Sequence, residues 1–318
     1  MKRTLSPALF LALAGWLAVV PLAMAHAGPE HDIEELTDRL AKEGESADLY
    51  LQRAIEYQVL GKYSEATRDL EQAMRFDRRN PAIQRELGRT YFAAGKTNEA
   101  LDTVTRAIGA KPADLDHAAL LVVRAEILRA RKRYEKAADD VDLAVHLSPG
   151  NVEWYLFRSQ LQAHLKQTKE RIAGLDEAIK ETGSGVLETE RVEALLDDGQ
   201  FEPAMATIEK ELEESRWKAS WLLRRARVLI SQGKKDEAKA DLKKAAVEIE
   251  LRLNVNTPDP SLLADRGLAR ELLGDKAGAR KDYEDARDKG ITEEWVLERL
   301  RVLKDKDKDK DKDKEKDP

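Results

Sequence analysis

Five histidines are the side chains of this 318-residue chain best suited to metal binding or proton transfer near neutral pH. His117, His146 and His164 stand alone in helical or loop contexts and read as surface or packing residues. His26 and His31 differ. A cut after Ala25 leaves His26 as an amino terminus, which puts an amine and an imidazole together with a second imidazole five residues on, a donor set for copper or zinc. The competing reading of that pair is an inert leader ahead of Asp32. There is no cysteine, which removes disulfides, thiolate nucleophiles and thiolate metal sites. Adjacent acids such as Asp139-Asp140 and Asp197-Asp198 point about 100° apart on a helix and make a poor carboxylate dyad. No phosphate loop, HExxH, nucleophile elbow or dinucleotide fingerprint is present. Neither catalysis nor a cofactor is expected.

The elements that carry these residues are written as a repeat. The phrase "GKYSEATRDLEQA" at 61–73 returns with its turn position at Gly61, Gly95, Lys132, Lys166, Gly199, Gly233 and Gly274. Five residues beyond each turn stands Ala66, Ala100, Ala137, Arg171, Ala204, Ala238 or Ala279, so only Arg171 breaks the rule. Seven further on come Ala73, Ala107, Ala144, Ala178, Glu211, Ala245 and Ala286, where Glu211 is the exception. Between them lies an apolar residue: Leu70, Val104, Val141, Leu175, Ile208, Leu242 or Tyr283. A period close to 34 residues predicts stacked helical hairpins, in which each copy buries the apolar face that its neighbour leaves open. Glycine at the turn permits the backbone reversal, and alanines seven apart let helices approach closely.

These residues resemble the tetratricopeptide repeat, and Leu87, Gly88, Tyr91, Gly95, Ala100, Ala107 and Pro112 of the second copy carry the likeness best. The resemblance spans residues 47–293. It implies an all-α, right-handed superhelical solenoid of about seven hairpins, at about 47–80, 81–114, 118–151, 152–184, 185–218, 219–252 and 260–293. It also implies a concave groove lined by the first helix of each pair. Projected onto this chain, that groove is expected to hold Arg85, Arg89 and Phe92, then Glu126 and Arg129, then Gln160 and Arg227, a modestly basic stripe for an acidic or C-terminal peptide. The family's carboxylate clamp is not expected, because Leu51 and Ile55 stand where it needs Lys and Asn.

Late in the first helix, where the family has Leu, this chain has Arg53, Arg124, Arg158, Arg191, Arg225 and Arg266. Sixteen residues after four of these lie Asp69, Asp140, Asp241 and Asp282, while the copy with Leu87 has Thr103. The co-occurrence predicts a ladder of Arg–Asp pairs inside the hairpins; the alternative is a row that binds carboxylates.

The ends are different in kind. Residues 1–25 have two cations, an apolar run and Ala23-Met24-Ala25, the layout of a secretory signal peptide, with Ala27 as a second cleavage position. A bacterial periplasmic or secreted location is expected, with no membrane insertion after cleavage. Residues 26–46 form a leader and a capping helix, and 294–303 a closing cap with Trp295 and Leu300 turned inward. Residues 304–318, "KDKDKDKDKDKEKDP", have no apolar side chain and are expected to be disordered. The segment 253–259, "LNVNTPD", is the expected hinge. Charged residues make up 36% of the chain and the net charge is −6, which gives no overall attraction to nucleic acid or an anionic membrane. The expected function is a non-catalytic protein–protein interaction scaffold of the bacterial envelope. Alternatives are a metal-handling protein using His26 and His31, or an array that assembles with its own copies.

Overall fold

All seven turn positions adopt the left-handed backbone conformation. The five glycines have φ between 69° and 95°, and Lys132 and Lys166 both have φ of 57°. At six of these turns the next amide donates back to a carbonyl five residues earlier, as Lys62 does to Tyr57 (2.8 Å) and Lys234 to Leu229 (2.9 Å). This caps helix carbonyls that would otherwise lack a donor while the chain reverses.

The computed structural model describes residues 28–109, 115–254, 256–291 and 293–314. The expected signal segment, its cleavage positions and His26 lie outside them. Among the described residues there are sixteen α-helices and no strand, so the fold is an all-α array of helical hairpins. The chain divides at Lys132 into two compact units. The first contains α1 (Pro29–Glu43), α2 (Ala47–Val59), α3 (Tyr63–Phe76), α4 (Pro81–Ala93), α5 (Thr97–Gly109) and α6 (Leu115–Ala130). The second contains α7 (Tyr134–Leu147), α8 (Val152–His164), α9 (Thr168–Thr182), α10 (Gly185–Asp197) and α11 (Phe201–Glu214). It continues with α12 (Ala219–Ser231), α13 (Lys235–Arg252), α14 (Pro260–Leu273), α15 (Lys276–Asp288) and α16 (Glu294–Lys314).

Packing follows the small residues. The alanines five and twelve residues beyond each turn are buried, as are the apolar residues between them. Gly88 lets α4 settle on Val104, since a Cβ there would stand 2.3 Å from a Val104 methyl. Gly267 does the same for the Tyr283 ring, at 2.7 Å. Tyr283 is fully buried and its hydroxyl donates to Glu271 at 3.0 Å.

The exception at Arg171 is built in. Its side chain is nearly inaccessible and donates to Ser159 Oγ (2.8 Å), Glu190 (2.8 Å) and Asp197 (2.9 Å), tying α9 to α8 and α10. A buried guanidinium is tolerated because each of these donors meets an acceptor.

The ends depart from expectation in two places. Among the described side chains of α16, Val296, Leu300 and Leu303 are buried, whereas Trp295 is 41% exposed and meets Tyr283 edge-on. The spacing of four and three places those three on one face, with Trp295 on its flank. The helix also runs on to Lys314, past the 303/304 boundary where disorder was expected. In the Lys/Asp alternation every i, i+3 pair is of opposite charge and every i, i+4 pair of like charge, so the two effects oppose each other. Residues 315–318 lie outside the described part. At the expected hinge, Leu253 packs against the apolar clusters on both of its sides.

Candidate functional site

The arginine row is engaged within the array. Arg53 meets Asp69 with two bonds of 2.6 and 2.7 Å, and Arg225 meets Asp241 at 2.7 and 2.8 Å. Arg266 meets Asp282 at 3.1 and 2.8 Å, with Arg270 a further donor to the same carboxylate. These are side-on, two-pronged pairs between the helices of one hairpin. Arg124 and Asp140 belong to different units. Arg158 donates to the Gly174 carbonyl (2.8 Å), which a Cβ at Gly174 would obstruct, and Arg191 is bonded to Asp176 on the preceding helix. Guanidinium groups held in this way are unavailable for a row that binds carboxylates.

In the first unit, α4 and α6 carry five of the expected groove residues. Arg85 Nε lies 2.9 Å from Glu86 Oε1, and Arg89 approaches the same oxygen at 3.9 Å while remaining 50% exposed. Burial pushes the Glu126 carboxyl up, and Arg89 and Arg129 partly offset that effect. Phe92 packs on the cluster of Ala100, Val104 and Ile127, so its ring serves the core. The stripe is therefore a mixture of both charges. Glu86 and Glu126 stand among its arginines.

The other two expected residues, Gln160 and Arg227, lie in the second unit on α8 and α12, and Arg227 points to a site that the sequence reading missed. Glu193 of α10 accepts from Arg227 at 2.6 Å and faces Arg224 Nε of α12 at 2.8 Å. Burial alone would push the Glu193 carboxyl up, but the two guanidinium groups outweigh it and hold it low. Arg224 Nε is buried 2.8 Å from Glu193, and its Nη1 donates to the Ser220 carbonyl at 3.1 Å. On α14, Asp265 accepts no hydrogen bond among the described residues. Burial pushes its carboxyl up to about 6, Arg224 and Arg252 oppose the shift, and Glu193 and Asp259 add to it. A carboxylate without a hydrogen-bond donor from its own chain is a natural acceptor for an incoming polar group.

A signal for this site existed. Glu193 and Arg227 are 34 residues apart, the same register place in successive copies with opposite charge. Arg224 and Asp265, each nine residues before its turn, are a second such couple. Among the described residues no group of three or more His, Cys, Asp or Glu could hold a metal. His31 is exposed on α1, while His164 stacks on Tyr134 (4.5 Å between centroids) and lies 2.8 Å from Glu294.

Two segments match models of the tetratricopeptide repeat, residues 60–124 and 221–246. No curated protein sequence matches the chain. Among solved structures, a tetratricopeptide repeat protein from Parabacteroides merdae ATCC 43184 is similar at 20% identity and a TM-score of 0.58, covering 86% of this chain and 99% of its own. Pseudomonas aeruginosa PilF is similar at 17% identity and a TM-score of 0.50, covering 62% of this chain and 89% of its own. Repeats of this kind are protein-interaction modules and are generally not catalytic. The matched segments, the left-handed turn at every repeat and the alanine-packed hairpins together make this chain a tetratricopeptide repeat protein.

Proposed function

We propose that the chain is a non-catalytic scaffold of the bacterial cell envelope that holds a protein or peptide against the first helices of its hairpins. The observation that carries the reading is the Asp265 carboxylate on α14, which is pushed up by burial and accepts no hydrogen bond among the described residues. Side chains inside a finished core are paired, whereas Asp265 leaves an acceptor for an occupant. The exposed Arg89 of the first unit supplies a second contact of the same kind. The envelope location rests on the signal-like residues 1–25.

The test is affinity capture from a periplasmic extract with three baits: the wild type, Arg85→Glu/Arg89→Glu, and Asp265→Asn. A partner that is retained by the wild type and lost with either variant supports the reading. Identical captured sets for all three baits refute it. Fractionation of the producing cells tests the location, which requires the chain to appear in the periplasmic or secreted fraction.

A further inference from the structure

The helix α13 runs for 18 residues, whereas the second helices of the other hairpins, α3, α5, α7, α9, α11 and α15, have 13 to 15. Its overhanging end is not covered. Leu251 is 82% exposed and Val247, one turn before it, is 62% exposed. At the register place of Val247 the other six copies have Arg75, Gly109, His146, Lys180, Glu213 and Asp288. An apolar side chain at this outward position is therefore peculiar to this copy.

The surroundings are cationic. Lys243 and Lys244, one turn before Val247, are exposed and form no ion pair with any described residue. Glu248 and Glu250 of the same helix end are engaged within the chain, Glu248 also beside Arg252 at 3.7 Å, and Glu213 and Glu214 stand exposed just before Arg216. Glu248 accepts from the Lys218 and Ala219 amides at 2.9–3.0 Å, and Glu250 accepts from Arg266 at 2.8 Å. Beside the last turn stands Trp217, 47% exposed, with the Arg216 and Arg252 guanidinium groups 5.0 and 4.9 Å from its ring centre. The net charge of −6 averages over faces and conceals this one.

We propose that the overhanging end of α13, with Trp217 beside it, is a peripheral docking site for an anionic lipid bilayer. Projecting Leu and Val side chains with an indole at their edge suit the boundary between headgroups and acyl chains, and the surrounding cations suit lipid phosphates. A protein partner would need a matching pocket to receive side chains that protrude this far, whereas a bilayer rearranges around them. No helix among the described residues is long and apolar enough to cross a membrane, so the contact is peripheral. This surface is separate from the first-helix site, and its test is independent of that reading.

The experiment is co-sedimentation of the full chain, as its host produces it, with phosphatidylcholine vesicles with and without about 30% phosphatidylglycerol. The wild type is compared with Lys243→Glu/Lys244→Glu and with Val247→Ser/Leu251→Ser, all exposed positions, and circular dichroism checks that each variant is folded. We expect binding to rise about tenfold with the anionic lipid, and each double variant to lose most of that gain. Equal binding to both vesicle types, or variants that bind like the wild type, would overturn the proposal. Soluble polyglutamate is the last arm. If it binds the wild type as well as the vesicles do, and the serine variant still sediments normally, the face reads acidic protein and the bilayer assignment is wrong.

Discussion

Asp241 is buried and its two oxygens are taken up by Arg225, whose own side chain is about a third exposed. Removing the guanidinium strands a carboxylate inside the hairpin, so Arg225→Ala should cost about 3 kcal/mol, measured by urea denaturation. A loss below about 0.5 kcal/mol would mean that water replaces the arginine without penalty. Asp265 behaves in the opposite way. Its carboxyl titrates near 6 in the folded chain, above its ordinary 3.8, so the folded state keeps a proton that the unfolded state releases between those values. Stability therefore falls as pH rises through that window, and the full penalty is present above it. Asp265→Asn should be neutral near pH 4 and stabilising by about 1–3 kcal/mol at pH 7.5, checked by thermal melts at both. The Arg–Asp spacing was legible in the sequence because sixteen residues span a hairpin turn, and the partners recur together. The Glu193 cluster was harder to read, because its pairs run between copies and the comparison must be made one whole period apart. The Arg171 bonds follow no period at all, so nothing in the repeat pattern announces them.

At the scale of the element, each hairpin depends on one left-handed residue. Lysine in that conformation bears a steric cost that glycine does not. Lys166→Gly should therefore stabilise the second unit by about 0.5–1 kcal/mol, read from the denaturation midpoint, whereas an unchanged or lower midpoint would show that the α8–α9 turn is not strained. The turns and the alanine faces are the most legible part of the sequence, since their constraints are local and repeat. The ends are the least legible, because no neighbouring copy fixes their phase. The sequence alone therefore does not distinguish Val296 from Trp295 as the inward residue, nor show that the helix continues into the Lys/Asp run.

For the whole molecule, composition excluded more than it identified. A repeated hairpin of this kind is built to present surfaces, and Asp265 on a first helix is a carboxylate that its own neighbours leave without a hydrogen bond. The central claim is that a partner lies on those helices. Amide hydrogen exchange of the chain alone and with its captured partner tests it most directly. The account requires new protection on α10, α12 and α14, or on α4 and α6. Protection confined to α11, α13 and α15, or to the two ends of the chain, would contradict it.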